Sequence, residues 1–158
     1  MGGLKLKLFL VIAFLVVLLV ATLSLAEKQV PLSLLGGKEL FSPSDWIKEE
    51  QIKVYQDKVV LEIDNPLWAT FTNTNSMDPF IDESSHAIEI SPESADSINV
   101  GDVISYNSKI GVVIHRVIDK GKDEQGIYYI VKGDNNNFKD PFKVRFSDVV
   151  GVVVAVIY

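Results

Sequence analysis

The sequence contains no cysteine, which excludes disulfide bonds, thiolate metal sites and a cysteine nucleophile. Histidine is scarce, since only His86 and His115 occur, and a metal site built from several imidazoles is not expected. No run of Lys or Arg exceeds two residues and the formal net charge is -6, so we expect no nucleic-acid partner. The sequence therefore predicts neither a metal, nor another cofactor, nor a nucleic acid.

Apolar residues are concentrated at the amino terminus. Residues 8–26 carry no charge, and as a helix they would span roughly 28 Å, close to the hydrocarbon thickness of a bilayer. Lys5 and Lys7 precede this segment, and the positive-inside rule then keeps the amino terminus cytoplasmic. Ser24 and Ala26 also suit the −3 and −1 positions of a cleaved signal peptide, so this alternative stays open. Both interpretations place the rest of the chain outside the cytoplasm.

These patterns predict one β-rich domain behind a single membrane helix. The predicted bounds are 1–7 for a cytoplasmic tail, 8–26 for a transmembrane anchor, 27–57 for a juxtamembrane linker and 58–158 for the β domain. Within the linker, Ser42-Pro43 resembles a helix start and predicts a short helix over 43–50. β-rich runs separated by turn residues predict strands at 58–63, 67–72, 103–106, 110–118, 127–131 and 149–157. The predicted fold class is mainly β and antiparallel.

Three polar segments interrupt this pattern, and the first contains Ser76. It lies between a predicted strand and the turn expected at Asp78-Pro79. The end of a rigid strand is a good position for a nucleophile, because the strand fixes the Cα atom. The alternative is an ordinary turn residue, since Ser is common before turns.

The second segment places His115 and Arg116 within an otherwise apolar strand. Adjacent residues of a strand face opposite sides, so His115 points inward if Arg116 reaches solvent. An imidazole titrates near neutral pH and suits the role of base for a hydroxyl. A hydrogen-bonded core histidine is the alternative.

The third segment, residues 132–141, is a polar stretch that predicts a hairpin loop. Its carboxylates, Asp134 and Asp140, are candidates to orient an imidazole and stabilise its charged form. The loop lacks the spaced Gly and the final Glu of an EF-hand, so it is a poor calcium loop.

Taken in order, these segments resemble the type I signal peptidase family. The segments that carry the resemblance are Ser76-Met77-Asp78-Pro79, Gly101-Asp102-Val103, His115-Arg116-Val117, and Lys132-Gly133-Asp134-Asn135 followed by Asp140. The resemblance covers roughly residues 67–151 and the apolar segment before them. It implies a β fold of the kind shared by signal peptidases and LexA-like peptidases.

The resemblance also implies roles for individual residues. Archaeal and endoplasmic-reticulum members of the family carry His where most bacterial members carry the Lys of a Ser-Lys dyad. By this resemblance Ser76 is the nucleophile and His115 the base, with Asp140 preferred over Asp134 as the acidic partner. The family pattern further implies the Ser76 backbone N–H and the Thr74 hydroxyl as oxyanion donors.

The implied substrates are signal peptides of translocated preproteins, with small residues at −1 and −3. An extended substrate would pair with the predicted strand 67–72. The implied location is a cell membrane or an endoplasmic-reticulum-type membrane, with one span, an extracytoplasmic catalytic domain and other membrane subunits as candidate partners.

Residues 82–99 depart from the family pattern and contain His86, a rival base that we expect in a loop or on a strand surface. Two alternative functions remain open. One is a LexA-like Ser-Lys peptidase with Lys109 or Lys132 as base. The other is a catalytically inactive, membrane-tethered β domain that binds peptides.

Overall fold

The computed structural model describes residue 3, residues 9–16 and residues 41–158. Residues 9–16 are helical, and their large apolar side chains are exposed. Within the described ranges, no helix is long and apolar enough to span a bilayer. Most of the predicted anchor lies outside the described residues, as do most of the predicted tail and residues 27–40 of the predicted linker.

The chain divides into two compact units, Met1–Glu39 and Leu40–Tyr158, and the described strands belong to the second. The described part of this unit is mainly β, and its pairings are antiparallel, which confirms the predicted fold class. The strands are β1 (Ile52–Val54), β2 (Val59–Leu61), β3 (Leu67–Thr70), β4 (His86–Ile90), β5 (Val103–Ser108), β6 (Gly111–Asp123), β7 (Gly126–Lys132), β8 (Val144–Arg145) and β9 (Val149–Ile157).

Strands β1 and β2 form a separate hairpin, and the other seven form one sheet in the order β3-β4-β9-β5-β6-β7-β8. The carboxy-terminal strand β9 therefore lies inside the sheet, between β4 and β5. This position explains its nearly continuous apolar sequence, because an interior strand covered on both faces has few positions that reach solvent.

Both faces of the sheet bury apolar side chains, as the alternation along β5 shows. Ile104 and Tyr106 belong to one buried cluster, whereas Val103 belongs to a second one with Met77 and Ile81. Burying one large apolar side chain contributes about 1.5–3 kcal/mol to folding. Met77 and Ile81 follow Ser76 closely in the sequence. The second cluster therefore fixes residues 73–79, the Ser76 segment, to the sheet.

The predicted helix over 43–50 is wrong, because this stretch contains only the start of a 3-10 turn at Glu49–Gln51. The backbone N–H of Ser44 donates to Asp102 Oδ1 at 2.6 Å, and Trp46 packs against the first cluster. These contacts to distant residues hold the segment in a non-helical conformation, so tertiary packing outweighs the local helix-start signal.

The strand predictions at 58–63, 67–72, 103–106, 127–131 and 149–157 match β2, β3, β5, β7 and β9 to within two residues. The prediction at 110–118 covers only the first part of β6, and β1, β4 and β8 were not predicted. β6 continues beyond the predicted end at residue 118 and through Gly121, and the Tyr128 ring of β7 lies directly over this glycine. β4 escaped prediction because its charged residue Glu89 faces inward.

Candidate active site

The Ser76 segment follows the edge strand β3 and contains neither helix nor strand. Asn75, just before it, adopts a left-handed conformation with φ of 56°, which Asn tolerates better than most residues. Met77, just after it, is buried in the second core cluster. Ser76 is thus held between a sharp backbone turn and a buried side chain.

A second hydroxyl lies beside the candidate nucleophile. Thr74 Oγ1 and Ser76 Oγ are 3.1 Å apart, a hydrogen bond in which either oxygen can donate. Thr74 is therefore close enough to donate to an oxygen that develops charge next to Ser76.

His115 and Asp140 form the central contact of the site. His115 lies on β6 opposite Ile104, and its Nδ1 is 2.9 Å from Asp140 Oδ1 and 3.0 Å from Oδ2. The Asp140 backbone N–H donates to Val131 O at 2.9 Å, which fixes the carboxylate beside β7. Because the carboxylate occupies Nδ1, the Nε2 atom is left to accept a proton, and the carboxylate stabilises the resulting imidazolium.

Tyr106 joins the same network, and the sequence analysis did not identify it. Its hydroxyl donates a hydrogen bond to Asp140 Oδ2, and its ring is 6.5 Å from the His115 ring. Burial, and then the hydrogen bond to Asp140, raise the pKa of Tyr106, so the phenol keeps its proton and remains a donor. A tyrosine at the end of a predicted strand resembles a core residue, and no local signal links it to an aspartate in a distant loop.

Asp134 contacts a different side chain, Arg116. Its carboxylate forms a two-point ion pair with Arg116, with Nε to Oδ1 at 2.8 Å and Nη2 to Oδ2 at 2.6 Å. Arg116 Nη1 also donates to Gly101 O at 2.8 Å, so this side chain is engaged with the protein rather than free in solvent. Of the two predicted acidic residues, the structure brings Asp140 to His115 and Asp134 to Arg116.

The loop after β7 braces the Ser76 segment. The Asn135 backbone N–H donates to Ser76 O at 3.0 Å, and its side-chain amide donates to Asn75 O at 2.9 Å. A Cβ atom on Gly133 would lie 2.5 Å from Ser76 O, so glycine permits this close approach. The Ser76 segment and the loop after β7, which are far apart in the sequence, are therefore in direct contact.

Ser76, Thr74 and His115 line one cavity of about 730 Å³. In the described part of the chain no hydrogen bond joins Ser76 to His115, and the serine hydroxyl contacts Thr74 instead. Contacts between a catalytic base and its nucleophile are often long in unliganded enzymes and tighten on substrate binding. The observation that links Ser76 to His115 is therefore the cavity that both residues line.

The rival bases lie elsewhere. Lys132 Nζ donates to Gly133 O at 3.0 Å and to Asn136 O at 2.6 Å, so it closes the loop after β7. Lys109 lies on the exposed turn between β5 and β6, and His86 begins β4 with its ring 5.5 Å from that of Trp68. None of these three side chains is among the residues that line the cavity.

Residues 9–16 and 41–158 contain no cluster of three or more His, Asp or Glu suited to a metal ion.

No protein-family model matches the chain, and no curated protein or solved structure matches it. The site's own geometry is therefore the basis for assigning a function.

Proposed function

We propose that the chain is a membrane-bound serine endopeptidase of the type I signal peptidase kind, which cleaves signal peptides from translocated preproteins. The observation that carries the proposal is the Asp140 carboxylate on Nδ1 of His115, in a site whose cavity also exposes Ser76 and Thr74. This combination provides a base, its orienting carboxylate, a hydroxyl nucleophile and a second hydroxyl donor.

The proposed reaction proceeds in two stages. Ser76 Oγ attacks the scissile carbonyl carbon while His115 Nε2 takes the hydroxyl proton, and Asp140 stabilises the imidazolium. The Ser76 N–H and the Thr74 hydroxyl donate to the tetrahedral oxyanion. His115 then gives its proton to the leaving amine as the C–N bond breaks. In the second stage His115 takes a proton from a water, and the resulting hydroxide attacks the acyl carbon. The bond between this carbon and Ser76 Oγ then breaks, and His115 returns the proton to Oγ.

Two free strand edges border the cavity and supply a way to hold an extended peptide. In the described sheet β3 pairs only with β4, and β6 pairs with β7 only from Arg116 onward, so residues 111–115 keep one free edge. Residues of both edges line the cavity. A peptide lying there gains main-chain hydrogen bonds that do not depend on its side chains.

The amino-terminal segment supports the membrane part of the proposal. We infer that residues 8–26 anchor the chain in a cell membrane or an endoplasmic-reticulum-type membrane, with the catalytic unit on the extracytoplasmic side.

The rim of the cavity exposes the apolar side chains of Trp68, Ile110 and Val112. Confinement to the membrane surface raises the effective concentration of translocated substrates without further contacts, and other membrane subunits are candidate partners there.

Processing of a preprotein in membranes tests this proposal. The full chain is incubated with a preprotein, and Ser76→Ala is compared with the wild type and with Ser147→Ala. Ser147 is exposed on the 3-10 turn Phe146–Asp148 and does not line the cavity, so its variant is a matched control. We expect Ser76→Ala and His115→Ala to lose processing and Ser147→Ala to keep it. Equal processing by Ser76→Ala and wild type would remove Ser76 from the mechanism.

A binding domain without catalysis is the second candidate, favoured by the missing hydrogen bond between Ser76 and His115. It predicts that peptides bind in the cavity while neither wild type nor any variant releases a cleaved product. The Ser-Lys alternative instead predicts that His115→Ala still cleaves. The engagement of Lys132 by two carbonyl oxygens speaks against that outcome.

A further inference from the structure

Two acidic residues without a role in the proposed mechanism line the cavity, the half-buried Asp82 and the buried Glu89. Glu89 on β4 is only 2% exposed, yet it lines the same cavity as Ser76. The neighbouring wall is largely apolar and includes Met77, Ile81 and Ile114. A carboxyl group in such surroundings is rare unless its oxygens are paired.

The sheet is built to accommodate this carboxyl group. A Cβ atom on Gly151 of β9 would lie 2.7 Å from Glu89 Oε2, so the glycine lets the glutamate cross over β9. On β5, beyond β9, Ser105 Oγ donates to Glu89 Oε2 at 2.7 Å. Ser105 is also buried and also lines the cavity, so the two side chains form a polar pair in its wall.

The second carboxyl oxygen of this pair is unused. Glu89 Oε1 is buried and has no hydrogen-bond partner among the residues that the structure describes. Burial raises the pKa of Glu89, while the hydrogen bond from Ser105 opposes this effect. When protonated, Oε1 can donate a hydrogen bond, and when ionised it can only accept one.

We propose that Glu89 and Ser105 form a polar subsite that binds a serine or threonine hydroxyl of the substrate peptide. A hydroxyl both donates and accepts, so it satisfies Oε1 in either protonation state of the glutamate. Its small size suits a cavity whose wall also includes the apolar side chains of Met77, Ile81 and Ile114. The inference rests on the proposed function and adds to it a preference for hydroxyl residues near the cleaved bond.

Matched peptides test the preference in the full chain. Each pair carries Ser or Ala at one of the last three residues before the cleaved bond, and kcat/KM is measured for both members. We expect the wild type to favour Ser at one position by about 3- to 10-fold, the effect of a single hydrogen bond. The ratio should persist in Glu89→Gln and in Ser147→Ala, and fall to about one in Glu89→Met and in Ser105→Ala.

A binding measurement separates this inference from the proposed function. The dissociation constants of the same labelled peptides are measured with Ser76→Ala, alone and combined with Glu89→Gln or Glu89→Met. A Ser preference that Gln preserves and Met removes supports the subsite even if the wild type cleaves nothing. Cleavage that depends on Ser76, with equal kcat/KM for Ser and Ala at all three positions, overturns the subsite alone. Equal binding without cleavage overturns both.

Discussion

Asp134 and Asp140 lie in one loop, but Asp134 pairs with Arg116 and Asp140 contacts His115, so we expect their substitutions to affect stability and catalysis differently. Asp140→Asn keeps the shape of the side chain while removing the charge that stabilises the His115 imidazolium, so we expect kcat to fall by about 10²- to 10⁴-fold. Asp134→Asn weakens the two-point pair with Arg116, and we expect it to lower the free energy of unfolding by about 1.5–3 kcal/mol.

Peptide cleavage and urea unfolding of both variants check this pair of expectations. In conditions where each variant is fully folded, Asp134→Asn should retain a kcat within about 10-fold of the wild type, since it leaves His115 and its carboxylate in place. If Asp134→Asn lost as much kcat as Asp140→Asn, the assignment of Asp140 as the orienting carboxylate would be wrong.

Tyr106 is predicted to act through Asp140 as a positioning residue. Its hydroxyl holds one carboxylate oxygen, so Tyr106→Phe should leave Asp140 freer to rotate away from Nδ1 of His115. We expect kcat to fall about 10-fold with KM unchanged, because Tyr106 does not line the cavity, and the free energy of unfolding to fall by about 1 kcal/mol.

Tyr129 supplies the matched control for this prediction. It is equally buried, and its hydroxyl donates to Ala95 O at 2.6 Å, away from the cavity. Tyr129→Phe should therefore lower stability by a similar amount and leave kcat intact. A loss of kcat in both variants would show that Tyr106 acts only through general stability.

These residues also show which contacts of the candidate site could be predicted from the sequence. His115 and Asp140 were identifiable because they lie in short segments with a recognisable spacing. The register of β6 against β7 was needed to choose between Asp140 and Asp134. It decides which member of the His115-Arg116 pair each carboxylate contacts. The role of Tyr106 could not be predicted from the sequence. Its hydrogen bond to Asp140 depends on the pairing of β5 with β6 and on the course of the loop after β7.

At the scale of elements, the loop after β7 and the Ser76 segment behave as one unit. Gly133→Ala would place a Cβ atom 2.5 Å from Ser76 O and 2.7 Å from Asn136 Nδ2, so one of the two loops must move. We expect stability to fall by about 1–3 kcal/mol and kcat to fall with it, because the displaced backbone carries the proposed nucleophile, Ser76.

The control is Gly126→Ala at the first residue of β7, directly after the turn from β6. Gly126 has a positive φ of 100° but open space around its Cβ position, so its variant should lose about 1–2 kcal/mol through backbone strain alone. Unfolding and cleavage assays on both variants distinguish the cases. Full activity in folded Gly133→Ala would contradict a coupling between the two loops.

Elements were predictable where the apolar pattern agreed with the burial, and unpredictable where it did not. β5, β7 and β9 have long apolar runs and were found. In β4 the usual rule that charges face solvent fails, because Glu89 turns inward against Ser105, so the strand gave no readable alternation. Residues 43–50 have a helix-start sequence, but Asp102 holds the Ser44 backbone instead.

At the scale of the whole molecule, two carboxyl groups should give the fold opposite responses to pH. Hydrogen bonds from Arg145 and then Lys143 lower the pKa of Asp123, so its contribution to stability is present above its ordinary value of 3.8 and is lost as the pH falls through the lowered value. Burial raises the pKa of Glu89, so its contribution is complete below the ordinary value of 4.5 and is lost as the pH rises through the raised value.

Glu89→Gln and Asp123→Asn should therefore shift the stability profile at opposite ends. Relative to the wild type, Glu89→Gln should become progressively more stable as the pH rises above 4.5, because the amide never has to ionise inside the wall. Asp123→Asn should be less stable than the wild type at neutral pH, with the difference vanishing in acid. Urea unfolding of the three chains from acid to neutral pH measures both trends. A difference between Glu89→Gln and wild type that stays constant across that range would mean that the Glu89 carboxyl does not titrate inside the fold.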